Sequence, residues 1–230
     1  MLASTPIIIE AAVQHTASFI FLHGLGDSGH GWAPVMRQLS KKFRFMKFIC
    51  PHAPQIPVTL NSGMKMPAWY DIYTLSDTDE NEDETGLQKS ANALLDYVKV
   101  EQAAGIPNER IFIGGFSQGA ATSLFTALVH PDIKLGGIIA LSGYIPCRKL
   151  IKSLPPHPLT TPVFAGHGTA DFVVQYSWHR KSVEFLRQLG GARITAKSYE
   201  GMQHSSCEEE IADVVEFING CLAIPEKTEL

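Results

Sequence analysis

Short apolar runs rich in β-branched and aromatic residues alternate along this chain with longer stretches at helical spacing, and few architectures accept that pattern. Residues 18–22, 45–49, 111–114, 137–141, 163–166 and 193–199 read as strands. Residues 32–42, 86–104, 118–129, 176–189 and 206–221 read as helices. Strands separated by helices imply βαβ units, and so a mostly parallel sheet covered by helices on both faces. No repeat or linker divides the sequence, so residues 1–230 are expected to form one domain. In such sheets the ligand site lies at the carboxyl ends of the strands, where loops lead into helices. The chemistry is therefore sought just after each strand.

The sharpest motif follows the strand at 111–114: Gly115-Phe116-Ser117-Gln118-Gly119. Alone, G-x-S-x-G is weak, since roughly one random chain in ten of this length would contain it. Here it joins an apolar strand to a helix that opens with the small residues Gly119, Ala120 and Ala121. That context is a nucleophile elbow, a strained turn that lifts a serine hydroxyl above the sheet edge. A serine needs a positioned base. His204 lies directly after the last strand, and Asp171 follows the strand at 163–166 within His167-Gly168-Thr169-Ala170-Asp171. Alone, each is more simply a loop residue or a turn former. Their chain order, Ser117, Asp171, His204, is that of a catalytic triad on this kind of sheet.

An acyl-transfer site also needs donors for the oxyanion. The N–H of Gln118, at a helix N-terminus, is one candidate. The N–H of Leu25, in His23-Gly24-Leu25-Gly26-Asp27-Ser28-Gly29, is the other. That loop lacks the Lys-Ser/Thr ending of a phosphate loop and the spacing of a dinucleotide fingerprint. No cofactor and no metal is expected.

The formal net charge is -4 and no basic block is present, which argues against nucleic acid as a partner. The run Ile7, Ile8, Ile9 is too short for a signal core or a membrane span, so no stable membrane anchor is expected. The terminal Lys-Thr-Glu-Leu departs from an ER-retention signal at its second residue. Cys50, Cys147, Cys207 and Cys221 are scattered, without a C-x-x-C pair, and read as thiols in a reducing, cytoplasmic setting.

HGLGDSG, PHAP at 51–54, PAWYD at 67–71, GFSQG, LSG at 141–143, HGTAD and YEGMQHS fall in one order over nearly the whole chain. Together they resemble the acyl-protein thioesterase / lysophospholipase family of small cytosolic carboxylesterases. The resemblance implies an α/β-hydrolase with a minimal lid and no cofactor, cleaving thioesters and esters that carry acyl chains. It assigns Ser117, Asp171 and His204 as triad, and Leu25 and Gln118 as oxyanion donors. Its implied substrates are S-acylated proteins, or small acyl esters and lysophospholipids. A non-catalytic binding protein on a hydrolase scaffold is the alternative of another class. Quaternary state leaves no mark in the sequence, a homodimer being one candidate.

The chain departs from the usual family pattern at Ala120, Tyr144, Phe172 and Gln175, which stand where glycine, tryptophan and two prolines are common. Tyr144 and Phe172 are expected to line the acyl pocket, with Trp69, Ile72 and Leu75 from the apolar stretch 54–76 as further walls and that stretch as a mobile cover. The acidic run 77–84 reads as a solvated entry to the following helix, with a substrate-selecting acidic rim as the other reading.

Overall fold

The computed structural model describes residues 5–74, 82–155, 158–190 and 193–223. Leu75, most of the acidic run and the Lys-Thr-Glu-Leu terminus lie outside the described residues. Nine strands are present among the described residues: β1 (Ile7–Ile9), β2 (Ala17–Leu22), β3 (Met46–Cys50), β4 (Gln55–Val58), β5 (Met64–Pro67), β6 (Ile111–Phe116), β7 (Gly137–Leu141), β8 (Val163–Gly168) and β9 (Ile194–Tyr199). The helices are α1 (Gly29–Lys42), α2 (Glu84–Ala103), α3 (Gln118–Val129), α4 (Arg148–Ser153), α5 (Tyr176–Leu189) and α6 (Glu208–Leu222).

Seven strands form one sheet in the order β1-β3-β2-β6-β7-β8-β9. All neighbours are parallel except β1, which pairs antiparallel to β3 with Ile8 opposite Ile49. The expected parallel sheet is thus present, with an antiparallel edge that the sequence reading did not assign. Also unassigned there were α4 and the β4–β5 hairpin, which pairs Ile56 with Met66 and turns much of the stretch 54–76 into ordered structure.

Strand periodicity sorts the core into two layers. Ile20, Leu22, Ile111 and Ile113 face α2 and α3, where Leu87, Leu94 and Phe125 are buried. Phe19, Phe21, Phe48, Phe112 and Phe164 point the other way, onto Trp32 and Met36 of α1 and Phe217 of α6. The sheet is therefore aliphatic on one side and aromatic on the other, and helices cover both. The central helix α3 buries every residue from Gln118 to Leu128, which fixes its N-terminus in the middle of the sheet edge. Asp83 caps α2, its side chain accepting from Gly86 N at 2.9 Å, so the end of the acidic run serves as a helix entry.

Two buried carboxylates have opposite surroundings. Glu101 of α2 is fully buried, but it accepts from Lys47 Nζ and Ser18 Oγ, each at 2.6 Å. Glu210 of α6 is also fully buried, and no hydrogen bond to either carboxyl oxygen is closed among the described residues. Its Oε1 reaches into space left by the missing side chain of Gly166. Burial pushes the Glu210 carboxyl up to about 7, against the Ser206 hydroxyl and with help from the charge of Asp213. Because the folded state holds this proton more tightly than the unfolded chain, stability falls as pH rises from the unfolded value toward 7 and stays reduced above it. Glu210→Gln is expected to remove that slope and to raise stability at pH 8.5 by about 3 kcal/mol over wild type, with little change at pH 4.5. Urea unfolding at the two pH values measures this. Parallel losses in both proteins would remove Glu210 as the cause.

Candidate active site

Each chemistry-bearing side chain sits just beyond the carboxyl end of a strand. Ser117 joins β6 to α3 with φ 54° and ψ -116°, a conformation that costs of order 1–3 kcal/mol for a residue with a side chain. The turn is held by Ser117 N donating to Leu141 O at 2.9 Å and by Ala121 N donating to Ser117 O at 3.0 Å. Glycine is required on both sides. A Cβ on Gly115 would lie 2.6 Å from Leu22 O, and one on Gly119 would meet the same carbonyl still closer. Ser117 occupies the N-cap position of α3, yet its hydroxyl makes no cap bond. The hydroxyl is left to the cleft.

Across the cleft, His204 Nδ1 lies 2.7 Å from Asp171 Oδ2. The other carboxylate oxygen accepts from the backbone N–H of Val173 and of Val174, both at 2.9 Å. Burial works to raise the Asp171 pKa. Hydrogen bonds from His167 and His204, the charge of His204 and the Val173 N–H outweigh it and hold the carboxyl well below the usual range. An ionised carboxylate only accepts, so His204 must carry its proton on Nδ1 and present Nε2 as the basic atom. The ring packs 4.7 Å from Phe116, and His204 and Ser117 line one cleft. Among the described residues no hydrogen bond joins Ser117 Oγ to His204 Nε2. Such contacts often close only with substrate in place.

Gln118 N is the first helical N–H of α3, without an intrahelical acceptor. Leu25 lines the same cleft. Its loop is shaped by Gly26 N donating to Pro67 O at 2.8 Å, and among the described residues no acceptor meets the Leu25 N–H. The two N–H groups can therefore both serve an anion that forms above Ser117.

The sequence reading missed what fixes these donors. Trp69 N donates to Gln118 Oε1 at 2.9 Å, and Gln118 Nε2 donates to Tyr70 O at 2.7 Å. Trp69 Nε1 donates to His23 O at 2.8 Å. His23 in turn bonds Gly24 O through Nδ1 at 2.7 Å and accepts from Ala53 N at Nε2 at 3.0 Å, which fixes its neutral tautomer. Burial lowers its pKa accordingly. The PAWYD segment is thus a strut between the elbow and the glycine-rich loop.

The cleft encloses about 270 Å³. Its apolar walls include Leu25, Leu60, Ile72, Phe116, Tyr144 and Val173. Of the expected acyl-pocket residues, Ile72 and Tyr144 are there, the latter with its hydroxyl 2.8 Å from that of Tyr70. Trp69 is not; it is buried behind the cleft in the strut. Phe172 is not either. It is 83% exposed, because the two N–H bonds to Asp171 Oδ1 turn the chain so that Val173 enters the wall instead. Leu75 lies outside the described residues. A larger groove of about 960 Å³ runs along α5 and holds none of this chemistry.

The sequence pattern of the phospholipase/carboxylesterase family matches residues 3–222. The chain belongs to that family. Among curated members, acyl-protein thioesterase 1 of Cryptococcus neoformans is 44% identical over 221 residues, which span 90% of this chain and 92% of the relative. Acyl-protein thioesterase 1 of Candida albicans is 45% identical over 210 residues, 88% of this chain and 90% of the relative. The crystal structure of Zea mays acyl-protein thioesterase 2 superposes with a TM-score of 0.86 at 30% identity, covering 94% of this chain and 98% of that one. Family membership and the α/β-hydrolase fold make this a serine hydrolase of the esterase and thioesterase classes.

Proposed function

We propose that the enzyme hydrolyses acyl thioesters through an acyl-enzyme on Ser117, with S-acylated proteins as its substrate class. The observation that carries this reading is the Asp171–His204 pair at 2.7 Å, set against the elbow serine in a small apolar cleft. In the proposed reaction His204 Nε2 takes the Ser117 proton as Oγ attacks the acyl carbonyl. The N–H groups of Leu25 and Gln118 stabilise the resulting oxyanion. As the tetrahedral intermediate collapses, His204 returns the proton to the departing cysteine sulfur. Water, deprotonated by the same nitrogen, then releases the fatty acid and restores Ser117. Every step uses the chain's own residues.

Relatives named acyl-protein thioesterase favour the thioester reading, and the family's description keeps a broad carboxylesterase or phospholipase beside it. Both bonds pass through one acyl-enzyme, so substrate comparison separates them. A palmitoylated-cysteine peptide is expected to give a higher kcat/KM than lysophosphatidylcholine or an ester of equal chain length; the reverse order would make the enzyme an esterase first. For the cellular setting, all four cysteines are thiols, and burial pushes that of Cys50 up to about 12. Cysteines held as thiols support a reducing cytoplasmic compartment, while the raised Cys50 value reports burial alone. No helix among the described residues is long and apolar enough to cross a membrane.

The cleft walls predict a chain-length profile. Each buried methylene contributes about 0.8 kcal/mol, roughly fourfold in kcat/KM, until the cleft is filled. With p-nitrophenyl esters of two to sixteen carbons, the rise is expected to level off before the longest chains. Val173→Ala and Ile72→Ala are expected to flatten the rise, and Phe172→Ala to leave it unchanged. A Phe172→Ala profile that moves with the other two would place Phe172 on the acyl path.

A further inference from the structure

His167 does nothing in the reaction described so far, yet it is fully buried against the triad carboxylate. Its Nε2 lies 2.7 Å from Val174 O and 3.3 Å from Asp171 Oδ2. Both are acceptors, so Nε2 carries the proton; its hydrogen bond goes to Val174 O, and Asp171 Oδ2 lies within electrostatic reach of the same N–H. Its Nδ1 has no hydrogen-bond partner among the described residues. The ring packs against α5, where the His179 ring centroid lies 5.0 Å away and that of Tyr176 6.2 Å away. Tyr176 in turn stacks on His179 at 5.6 Å. Burial, with His167 adding to it, presses the His179 pKa down to about 3, so His179 itself adds no charge beside the ring. The titratable groups around His167 are thus Asp171 on its own loop, His204 beyond that carboxylate, and Tyr176 and His179 on α5.

Asp171 Oδ2 therefore faces two imidazole nitrogens: it is hydrogen-bonded to His204 Nδ1 at 2.7 Å, and His167 Nε2 stands at the longer distance of 3.3 Å. A donor on a carboxylate withdraws charge from it and weakens its pull on any other donor. The same His167 N–H also holds Val174, the residue after Val173 in the cleft wall.

We propose that His167 is a positioning residue of the active site: its Nε2–H holds the Asp171 carboxylate and the Val174 carbonyl in one register, and thereby sets how strongly Asp171 accepts from His204. This inference rests on the triad reading of Ser117, Asp171 and His204. It adds a fourth residue to that triad, acting through Asp171 and touching no substrate.

The test compares His167→Leu, which removes the donor, with His167→Gln, whose amide N–H reaches the place of Nε2–H. In His167→Leu, kcat is expected to fall roughly tenfold or more with KM within about twofold, and the rising limb of the pH–rate profile to move to higher pH. The upward direction follows because Asp171, relieved of one donor, binds the His204 imidazolium more tightly. His167→Gln is expected to recover most of the rate and the wild-type limb. Equal losses in both variants with an unmoved limb would reduce His167 to packing and overturn the proposal. So would a His167→Leu protein with normal kcat and normal pH dependence. Should His167→Leu fail to fold, nitrogen-15 histidine NMR of the wild type decides: the Nε2–H tautomer at His167 supports the proposal, and Nδ1–H overturns it. Fluorophosphonate labelling of wild-type Ser117 keeps the two readings apart. An unlabelled protein defeats the triad itself, whereas a labelled one with unresponsive His167 variants defeats only this inference.

Discussion

Ser117→Ala is expected to lower ester and thioester turnover by about a thousandfold or more while the fold survives. The size of the loss follows from the proposed reaction, in which the atom removed is the one that bonds to the acyl group. What remains is the pair of N–H donors and the cleft, which still bind and polarise the carbonyl. Survival of the fold follows from the local geometry. The hydroxyl makes no cap bond to α3, so its removal strands no buried partner. Alanine keeps the Cβ, and with it the same strained φ of 54°, so the elbow is neither relaxed nor further burdened. The thermal midpoint is accordingly expected to move by no more than a surface substitution would move it. A fluorophosphonate should add its mass to Ser117 in the wild type and to nothing in the variant. Near-normal turnover in a folded Ser117→Ala protein, or labelling at another residue, would remove Ser117 as nucleophile.

The parts of the fold that were legible in the sequence are those where one local pattern decides the structure. Strands β2, β6, β7 and β8 are buried on both faces, so each reads as a continuous apolar run whatever its neighbours do. Strand β1 has only three residues, and its place is set by pairing with β3 some forty residues later, which no local pattern records. The β4–β5 hairpin carries Pro57 and Lys65 and alternates poorly, so it read as loop. The same contrast holds in the site. Ser117, Asp171 and His204 each follow a strand, and the elbow motif with their chain order made them candidates that the structure places around one cleft or in contact with it. Which neighbour of Asp171 enters the cleft was not legible, because it depends on two hydrogen bonds that turn Val173 inward and leave Phe172 outside. Nor was the role of Trp69, whose aromatic ring suggested a pocket wall while its two N–H groups tie it to Gln118 and His23. Polar bonds made by apolar residues leave no trace in hydrophobic periodicity.

Asp171→Asn is expected to depress turnover by about ten-thousandfold with little change in KM, the largest effect of a change that leaves nucleophile and base in place. The reason lies in how the carboxylate is surrounded. Oδ1 accepts from the N–H groups of Val173 and Val174, so an asparagine must turn its amide oxygen to that side. Its NH2 then stands where Oδ2 stood, facing the N–H groups of His204 Nδ1 and His167 Nε2. Two donors cannot bond one another. His204 can accept from the amide only by moving its proton to Nε2, the atom that must receive the Ser117 proton, and the base is lost to its wrong tautomer. The alternative flip restores His204 but leaves two buried N–H groups facing an NH2, at a cost of about 1–3 kcal/mol for each group left unmade. In the proposed reaction substrate binding uses the cleft walls and the N–H groups of Leu25 and Gln118, so KM should barely register the change. The measurement is kcat and KM on one p-nitrophenyl ester, with nitrogen-15 histidine NMR to read the His204 tautomer. A variant that keeps near-normal turnover would mean that another carboxylate orients His204. A variant that is slow yet keeps the Nδ1–H tautomer would mean that Asp171 acts through its charge alone.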